Sequence, residues 1–330
     1  MHGWSCESLI GVEGLRWREL PTPEPGAGDG LVAVHAASLN FPDLLIIEGK
    51  YQVKPPLPFI PGSEFAGRVG AVGPGVTGVR PGDPVIAVGS VGGFATHAIA
   101  KVADLTPKPT DLSFQDAAAF ILTYGTAHHA LIDRAVLRPG ETVLILGAAG
   151  GVGTAAIQVA KAAGARVIAG VSTEAKAVFC TSLGADATIC YGRDNLRDRV
   201  KAVTDGRGVD VVFDPVGGDL AEPAFRSLGW RGRYLVVGFA QGTIPTLPLN
   251  LALLKGAAAV GVFWGDFVRR EPERHRAAVV QLGQWYTEGK IKPALDSILP
   301  MERLPDAYAR MASRRVLGKV LMVNPVALPR

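Results

Sequence analysis

The stretch TVLILGAAGGVGTAAIQVAKAAG, residues 142–164, runs an apolar strand into a glycine-rich turn and out into an alanine-rich helix. Turns of this kind hold phosphate. The dinucleotide fingerprint places glycine at its first, third and sixth positions, here Ala148, Gly150 and Gly153. Gly150 would let the backbone approach a pyrophosphate, and Gly153 would let the helix pack close to the strand. The N–H groups and the dipole at the helix start would hold the anionic bridge. Because Ala148 departs from the strict pattern, the strand–turn–helix context carries as much of the reading as the glycines do. A glycine turn that binds nothing is the plainer alternative.

A residue about twenty positions further on, at the end of the second strand, selects between dinucleotides. A carboxylate there would accept from the ribose hydroxyls of NAD. This chain has VIAGVSTEAK, with Gly170, Val171, Ser172 and Thr173 at the strand end and Lys176 one turn into the next helix. Hydroxyls plus a cation suit a 2′-phosphate, which points to NADPH. The bland alternative for Lys176 is a solvated surface lysine, and Glu174 is accounted for by the helix N-terminus.

Little else in the chain suggests a metal. Cys6, Cys180 and Cys190 form no C-x-x-C pair, which argues against a zinc knot or a disulfide framework. Of the six histidines, His128 and His129 are adjacent and would point in different directions on a helix. Hydride delivery to an acceptor that needs little electrophilic help is then the expected task. A quinone or a conjugated enone qualifies, because charge spreads over the conjugated system. The protein would supply binding and orientation while the cofactor carries the chemistry.

The elements that must position these residues fall into two textures. Residues 1–120 are rich in short runs such as LVAVHAAS, FAGRVGAVG and DPVIAV, bounded by Gly and Pro as strands of a barrel-like domain would be. SFQDAAAFILTYGTAHHALIDRA reads as one helix. Strands and helices then alternate through residues 121–262, and the strands are almost wholly apolar. That pattern implies a doubly wound parallel sheet covered on both faces. Residues 263–330 hold a helix from about Glu271 to Glu288, another around Pro305–Ser313 and a last strand, GKVLMV. These are too few for a third domain and are expected to return to the first, making it discontinuous.

Of 330 residues 48% are hydrophobic and 19% charged, enough for a sizeable core. The net charge of +4 is spread along the chain, so nucleic acid is not an expected partner. No secretory signal or membrane-spanning run stands out, and a reducing cytoplasm is the expected compartment.

Across its whole length the chain resembles the medium-chain dehydrogenase/reductase superfamily, and within it the zeta-crystallin-like NADPH:quinone oxidoreductases. The markers, in order, are SLNFPD, GKY, PGSEFAGRV, VRPGDPV, AAGGVGTAAIQVAK, SLGAD, GRGVDVVFDPVGG and GKVLMV. The resemblance implies a GroES-like domain beside a Rossmann domain, an α/β fold overall. It implies that Asn40 replaces a zinc-binding cysteine and lies near the nicotinamide ribose, with Ser63 where zinc enzymes carry a histidine. Thr126 would lie beside the nicotinamide. Gly151 and Val152 would belong to the pyrophosphate turn, Ser172 and Lys176 to the 2′-phosphate grip, and Tyr191 to the adenosine phosphate. Gly238, Phe239, Phe263 and Trp264 would line the cofactor. Trp230 and Arg231 depart from the Pro and Gly common among relatives, and Leu45 from a tyrosine. Tyr51 is a candidate to stack on a flat acceptor or donate to it, or else a half-buried loop aromatic.

Three functions follow: a zinc-independent NADPH:quinone reductase, a reductase of enones or enoyl thioesters, and a non-catalytic NADPH- or RNA-binding crystallin-like protein. AAAVGVFWG, apolar and β-prone, is expected to form an exposed strand at the sheet edge and to support a homodimer.

Overall fold

The computed structural model describes residues 1–89 and 91–324. They form two compact units, Met1–Leu122 with the segment from Leu295 onward, and Thr123–Ala294. The chain opens with the antiparallel pair β1 (His2–Cys6) and β2 (Leu15–Glu19). It continues through β3 (Asp29–Leu39), helix α1 (Phe41–Ile47), β4 (Glu64–Val72), β5 (Pro84–Val88), β6 (His97–Lys101) and β7 (Leu105–Pro107). The first half of β3 alternates buried and half-buried residues and its second half is buried on both sides. It is the central strand, pairing with both β4 and β6.

Helices α2 (Phe114–Ala117) and α3 (Ile121–His128) follow, then a π-helical turn, His129–Arg134. The single helix expected over this stretch is therefore broken. One cause is visible: the Leu122 N–H donates to the Glu64 carboxylate (2.8 Å), a side-chain cap at the start of α3. Alanine and leucine content does not reveal a break imposed by a partner fifty-eight residues away.

The second unit alternates β8 (Thr142–Ile145), α4 (Gly151–Ala162), β9 (Arg166–Val171), α5 (Glu174–Ser182), β10 (Ala187–Cys190), α6 (Leu196–Val203), β11 (Val209–Asp214), α7 (Ala221–Arg226), β12 (Leu228–Val236), α8 (Asn250–Lys255) and β13 (Ala258–Gly261). The six strands lie in the order β10-β9-β8-β11-β12-β13, all parallel. This is the doubly wound order, with the switch point between β8 and β11. Val143, Leu144 and Ile145 and their neighbours Val167, Ile168 and Ala169 are fully buried, as strands covered on both faces must be. Side-chain caps start α5 (Thr173) and α6 (Asn195).

Two more helices, α9 (Trp264–Arg270) and α10 (Pro272–Thr287), belong to this unit. The chain thus returns to the first unit at Leu295, not at residue 263. The reason is packing: Phe267 stacks on His129 (4.0 Å between ring centroids), His128 Nε2 meets Gln281 Oε1 at 2.6 Å, and Gln158 bonds the Lys292 backbone. The return consists of β14 (Leu295–Pro300), α11 (Leu304–Ala312) and β15 (Lys319–Val323). There β15 pairs antiparallel with the last residues of β3, so that Val320 faces Leu39. No helix among the described residues is long and apolar enough to cross a membrane.

Candidate functional site

In a parallel sheet every strand ends at the same edge, and that edge is where ligands settle. The second unit places most of the residues picked from the sequence there. Gly150 is the N-cap of α4, directly after the turn that follows β8, with Gly151 and Val152 in the first helical turn. Gly147 bends the turn with φ +58, and the Gly150 N–H closes it onto Gly147 O at 3.0 Å. The two fingerprint glycines are needed for different reasons. A Cβ on Gly153 would sit 2.4 Å from Gly147 O and 2.7 Å from Ala148 Cα, so this glycine lets helix and turn touch. A Cβ on Gly150 would come no closer than 3.5 Å to the same oxygen, so the space before the helix start is open. That open cradle of N–H groups fits a pyrophosphate.

Ser172 follows β9, and the Lys176 ammonium reaches back one helical turn to donate to Ser172 Oγ at 3.2 Å. Tyr191 follows β10 and its N–H donates to Val171 O at 3.0 Å. Gly192 packs so closely that a Cβ there would meet Ser172 O at 2.5 Å. Ser172, Lys176 and Tyr191 therefore form one corner. Arg193, which the sequence reading passed over, joins them: its guanidinium lies 3.7 Å from the Glu174 carboxylate and pairs with Asp194. An arginine just past a Tyr-Gly turn was the available signal. These hydroxyls and cations fit a 2′-phosphate better than a free ribose diol, which would call for a carboxylate acceptor.

Gly238 and Phe239 follow β12. The Gly238 N–H donates to Asp214 O, and the Phe239 ring lies over Gly217, where a Cβ would clash at 2.8 Å. Buried Asp214 shapes this edge by accepting from the N–H groups of Val216 and Gly217 and from the Tyr234 hydroxyl. Phe263, 58% exposed, follows β13 and caps α9. Trp264 lays its indole against α3 at Gly125, where a Cβ would stand 2.8 Å from Nε1, one residue from Thr126. His128 and His129 are spent on Gln281 and on Phe267 with Asp133, and burial lowers both imidazole pKa values.

In the first unit Asn40 sits at the junction of β3 and α1, 4% exposed, in a fully buried polar cluster. Its Nδ2 donates to Ser38 O and Oγ (3.2 Å each) and to the Glu64 carboxylate (3.3 Å). Its Oδ1 accepts from the Lys319 ammonium, which also lies 3.4 Å from Glu64. Burial pulls the Lys319 pKa down, against the pull of Glu64 and Asp43. Asp43 caps the Asn40 N–H and accepts from the Ser63 N–H and hydroxyl, yet burial raises its carboxyl pKa to about 6. Tyr51 is half-buried against the core of this unit, its phenol pKa raised by burial and then by Asp43. Ser38, Glu64 and Lys319 escaped the sequence reading. For Glu64 and Lys319 the signal was a charged residue opening a largely apolar strand, EFAGRV and KVLMV; Ser38 gave none.

The alcohol dehydrogenase GroES-like domain family matches residues 26–110, and the zinc-binding dehydrogenase family matches residues 151–282. Zinc does not fit the residues present. Asn40 offers an amide oxygen already facing an ammonium, Ser63 a hydroxyl given to Asp43, and among the described residues no three His, Cys, Asp or Glu side chains could hold a metal ion. The chain is 40% identical over 304 residues to a quinone oxidoreductase-like protein 2 homolog of Nematostella vectensis, covering 91% of this chain and 83% of that protein. An Escherichia coli quinone oxidoreductase solved with NADPH superposes with a TM-score of 0.90 at 29% identity, over 98% of this chain and all of that one. A mycobacterial protein solved with NADPH gives 0.91 at 30% identity, over 98% and 99%.

Proposed function

The chain belongs to the quinone oxidoreductase family of the medium-chain dehydrogenases/reductases, and on that premise we propose that it reduces quinones with NADPH and without a metal. The observation that carries the cofactor half is the corner at the ends of β9 and β10, where Lys176 and Ser172 are already bonded and no strand-end carboxylate competes. The N-terminus of α4 receives the pyrophosphate, Lys176 and Ser172 the 2′-phosphate, and Tyr191 packs beside them. Thr126 and Trp264 border the nicotinamide, with Gly238, Phe239 and Phe263 lining the cofactor. When bound, NADPH supplies a hydride, and a quinone taking that hydride and one proton becomes the hydroquinone.

No residue has to act as a strong electrophile. The charge arriving on a quinone spreads over the conjugated ring system, unlike that on an isolated carbonyl, for which a metal is the usual stabiliser. What the chain must provide is position, and Tyr51 is the candidate to hold a flat acceptor. NADPH oxidation by the purified protein is the test, run with quinones, simple enones and enoyl thioesters, before and after dialysis against a strong chelator. Quinones should be reduced fastest and chelation should change nothing. An enoyl thioester preferred over every quinone, or activity lost with the metal, would contradict the proposal.

A further inference from the structure

In the second unit the parallel strands all begin at one edge of the sheet and end at the other, where Ser172, Tyr191 and Gly238 follow them. β11 spans six residues, so the two edges lie roughly 17 Å apart. At the edge where β11 and β12 begin there is a cavity of about 230 Å³. Five cations line it, Arg197, Lys201, Arg207, Arg226 and Lys255, together with Trp230, which is 74% exposed. Three of the cations are explained by their helices. Lys201, Arg226 and Lys255 stand in the last turns of α6, α7 and α8, where the helix dipole favours positive charge. The rest runs against local rules. Arg197 lies in the first turn of α6, the end that disfavours a cation, and four residues before Lys201, a like-charge spacing that weakens a helix. Arg226 pairs with Glu222 at 2.7 Å and Arg207 reaches the exposed Asp205 at 3.9 Å, but among the described residues Arg197 and Lys201 meet no carboxylate. Lys255 donates to the Leu228 carbonyl at 2.5 Å, and its pKa is pulled down by burial and then by Arg197, Arg226 and Lys201. Arg231, beside Trp230, holds a φ of +60, a left-handed conformation unfavourable for a residue with a side chain.

We propose that this cavity is a second binding site, remote from the cofactor edge, for a small phosphomonoester that carries one flat ring. Two cations without a counter-charge call for an anion. A phosphomonoester brings nearly two negative charges at neutral pH where a carboxylate brings one, and its oxygens accept from guanidinium and ammonium groups together. Such a group would relieve the crowding of Arg197 against Lys201 and of both against Lys255. The ring is called for by Trp230. Its Cη2, Cζ2 and Cζ3 atoms lie where a Cβ on Gly256 would stand 3.3–3.5 Å away, so the indole rests on the backbone there while most of its surface stays bare beside the cations. An aromatic face in that position takes a stacked ring. The volume falls below the ~300 Å³ at which pockets for drug-sized ligands begin, which suits a small ligand.

The probe is phenyl phosphate, titrated into the whole protein in the presence of saturating NADPH and followed by phosphorus NMR line broadening, with inorganic phosphate as the comparison that lacks a ring. Phenyl phosphate should bind with a Kd of about 1 mM or tighter, and inorganic phosphate several-fold more weakly. Arg197→Gln combined with Lys201→Gln should weaken both about tenfold or more. Trp230→Ala should remove the preference for the ring and leave inorganic phosphate unchanged. All three side chains are exposed, so Tm should hold in each variant. Lys176→Ala should alter neither affinity, which keeps a failure here distinct from a failure of the cofactor corner. Four results would overturn the proposal. No broadening up to about 10 mM would mean no site. Equal affinity for the two anions in the wild type would mean an unspecific patch of charge. Binding that NADPH displaces, or that Lys176→Ala removes, would put the phosphate in the cofactor corner. Oligothymidylate bound ever more tightly with length through Arg197 and Lys201 would make the surface a track for nucleic acid.

Discussion

Asp43 puts an ionisable group where a helix start, a loop and a buried charge cluster meet. Its carboxylate accepts from Asn40 and Ser63, while Lys319, Tyr51 and Tyr308 face it electrostatically. Burial outweighs those hydrogen bonds and lifts its pKa from 3.8 to about 6. A carboxyl that binds its proton more tightly folded than unfolded stabilises the fold below pH 4, and that contribution is lost as pH rises through 6. Over two pKa units this amounts to about 3 kcal/mol at most. The difference in unfolding free energy between wild type and Asp43→Asn should therefore fall between pH 4 and pH 7; a difference that rises over that range contradicts the assignment. None of this was legible in the sequence. Asp43 looks like an ordinary helix-start aspartate, and its environment depends on Lys319, far along the chain. That Ser172 and Lys176 stand together was legible, because both follow from position relative to one strand end, a local property.

At the level of elements, the strand–turn–helix of β8 and α4 makes the sharpest prediction. Its two glycines differ in what surrounds them. Gly153→Ala drives a Cβ into backbone atoms of Gly147 and Ala148. It should cost about 1–3 kcal/mol of stability and lower Tm. Gly150→Ala meets nothing closer than 3.5 Å and has an ordinary φ of −81, so the fold should tolerate it. The methyl group would instead stand in the phosphate cradle, and NADPH binding should weaken at unchanged Tm. Thermal melts with and without NADPH separate the two effects; equal melting temperatures for both variants would mean that the glycines are interchangeable. The parallel sheet was legible in full, since buried strands between helices leave an apolar signature at regular spacing. The fate of α9 and α10 was not. The sequence marks α10 as a helix but not α9, and only contacts such as His129 with Phe267 decide which unit they cover.

For the whole molecule, β13 ends the six-stranded sheet and three of its four residues are exposed. In the stretch of chain that leads into it, Leu249, Leu253 and Leu254 are 84%, 80% and 70% exposed. An open strand edge is a hazard unless covered, as are bare leucines, and a second copy covering the edge symmetrically would give a homodimer. Light scattering at micromolar concentration should return twice the chain mass, and Val260→Lys, a charge placed on that edge, should halve it. A monomeric wild type would end the idea. The claim on which the rest depends is that the corner formed by Ser172, Lys176 and Tyr191 selects NADPH. Its direct test is the ratio of kcat/KM with NADPH to kcat/KM with NADH, using one quinone, in wild type and Lys176→Ala. A charge-assisted hydrogen bond worth roughly 1.5–3 kcal/mol should make the ratio fall about ten- to a hundredfold in the variant through NADPH alone. A wild type that favours NADH, or a ratio that does not move, would contradict it.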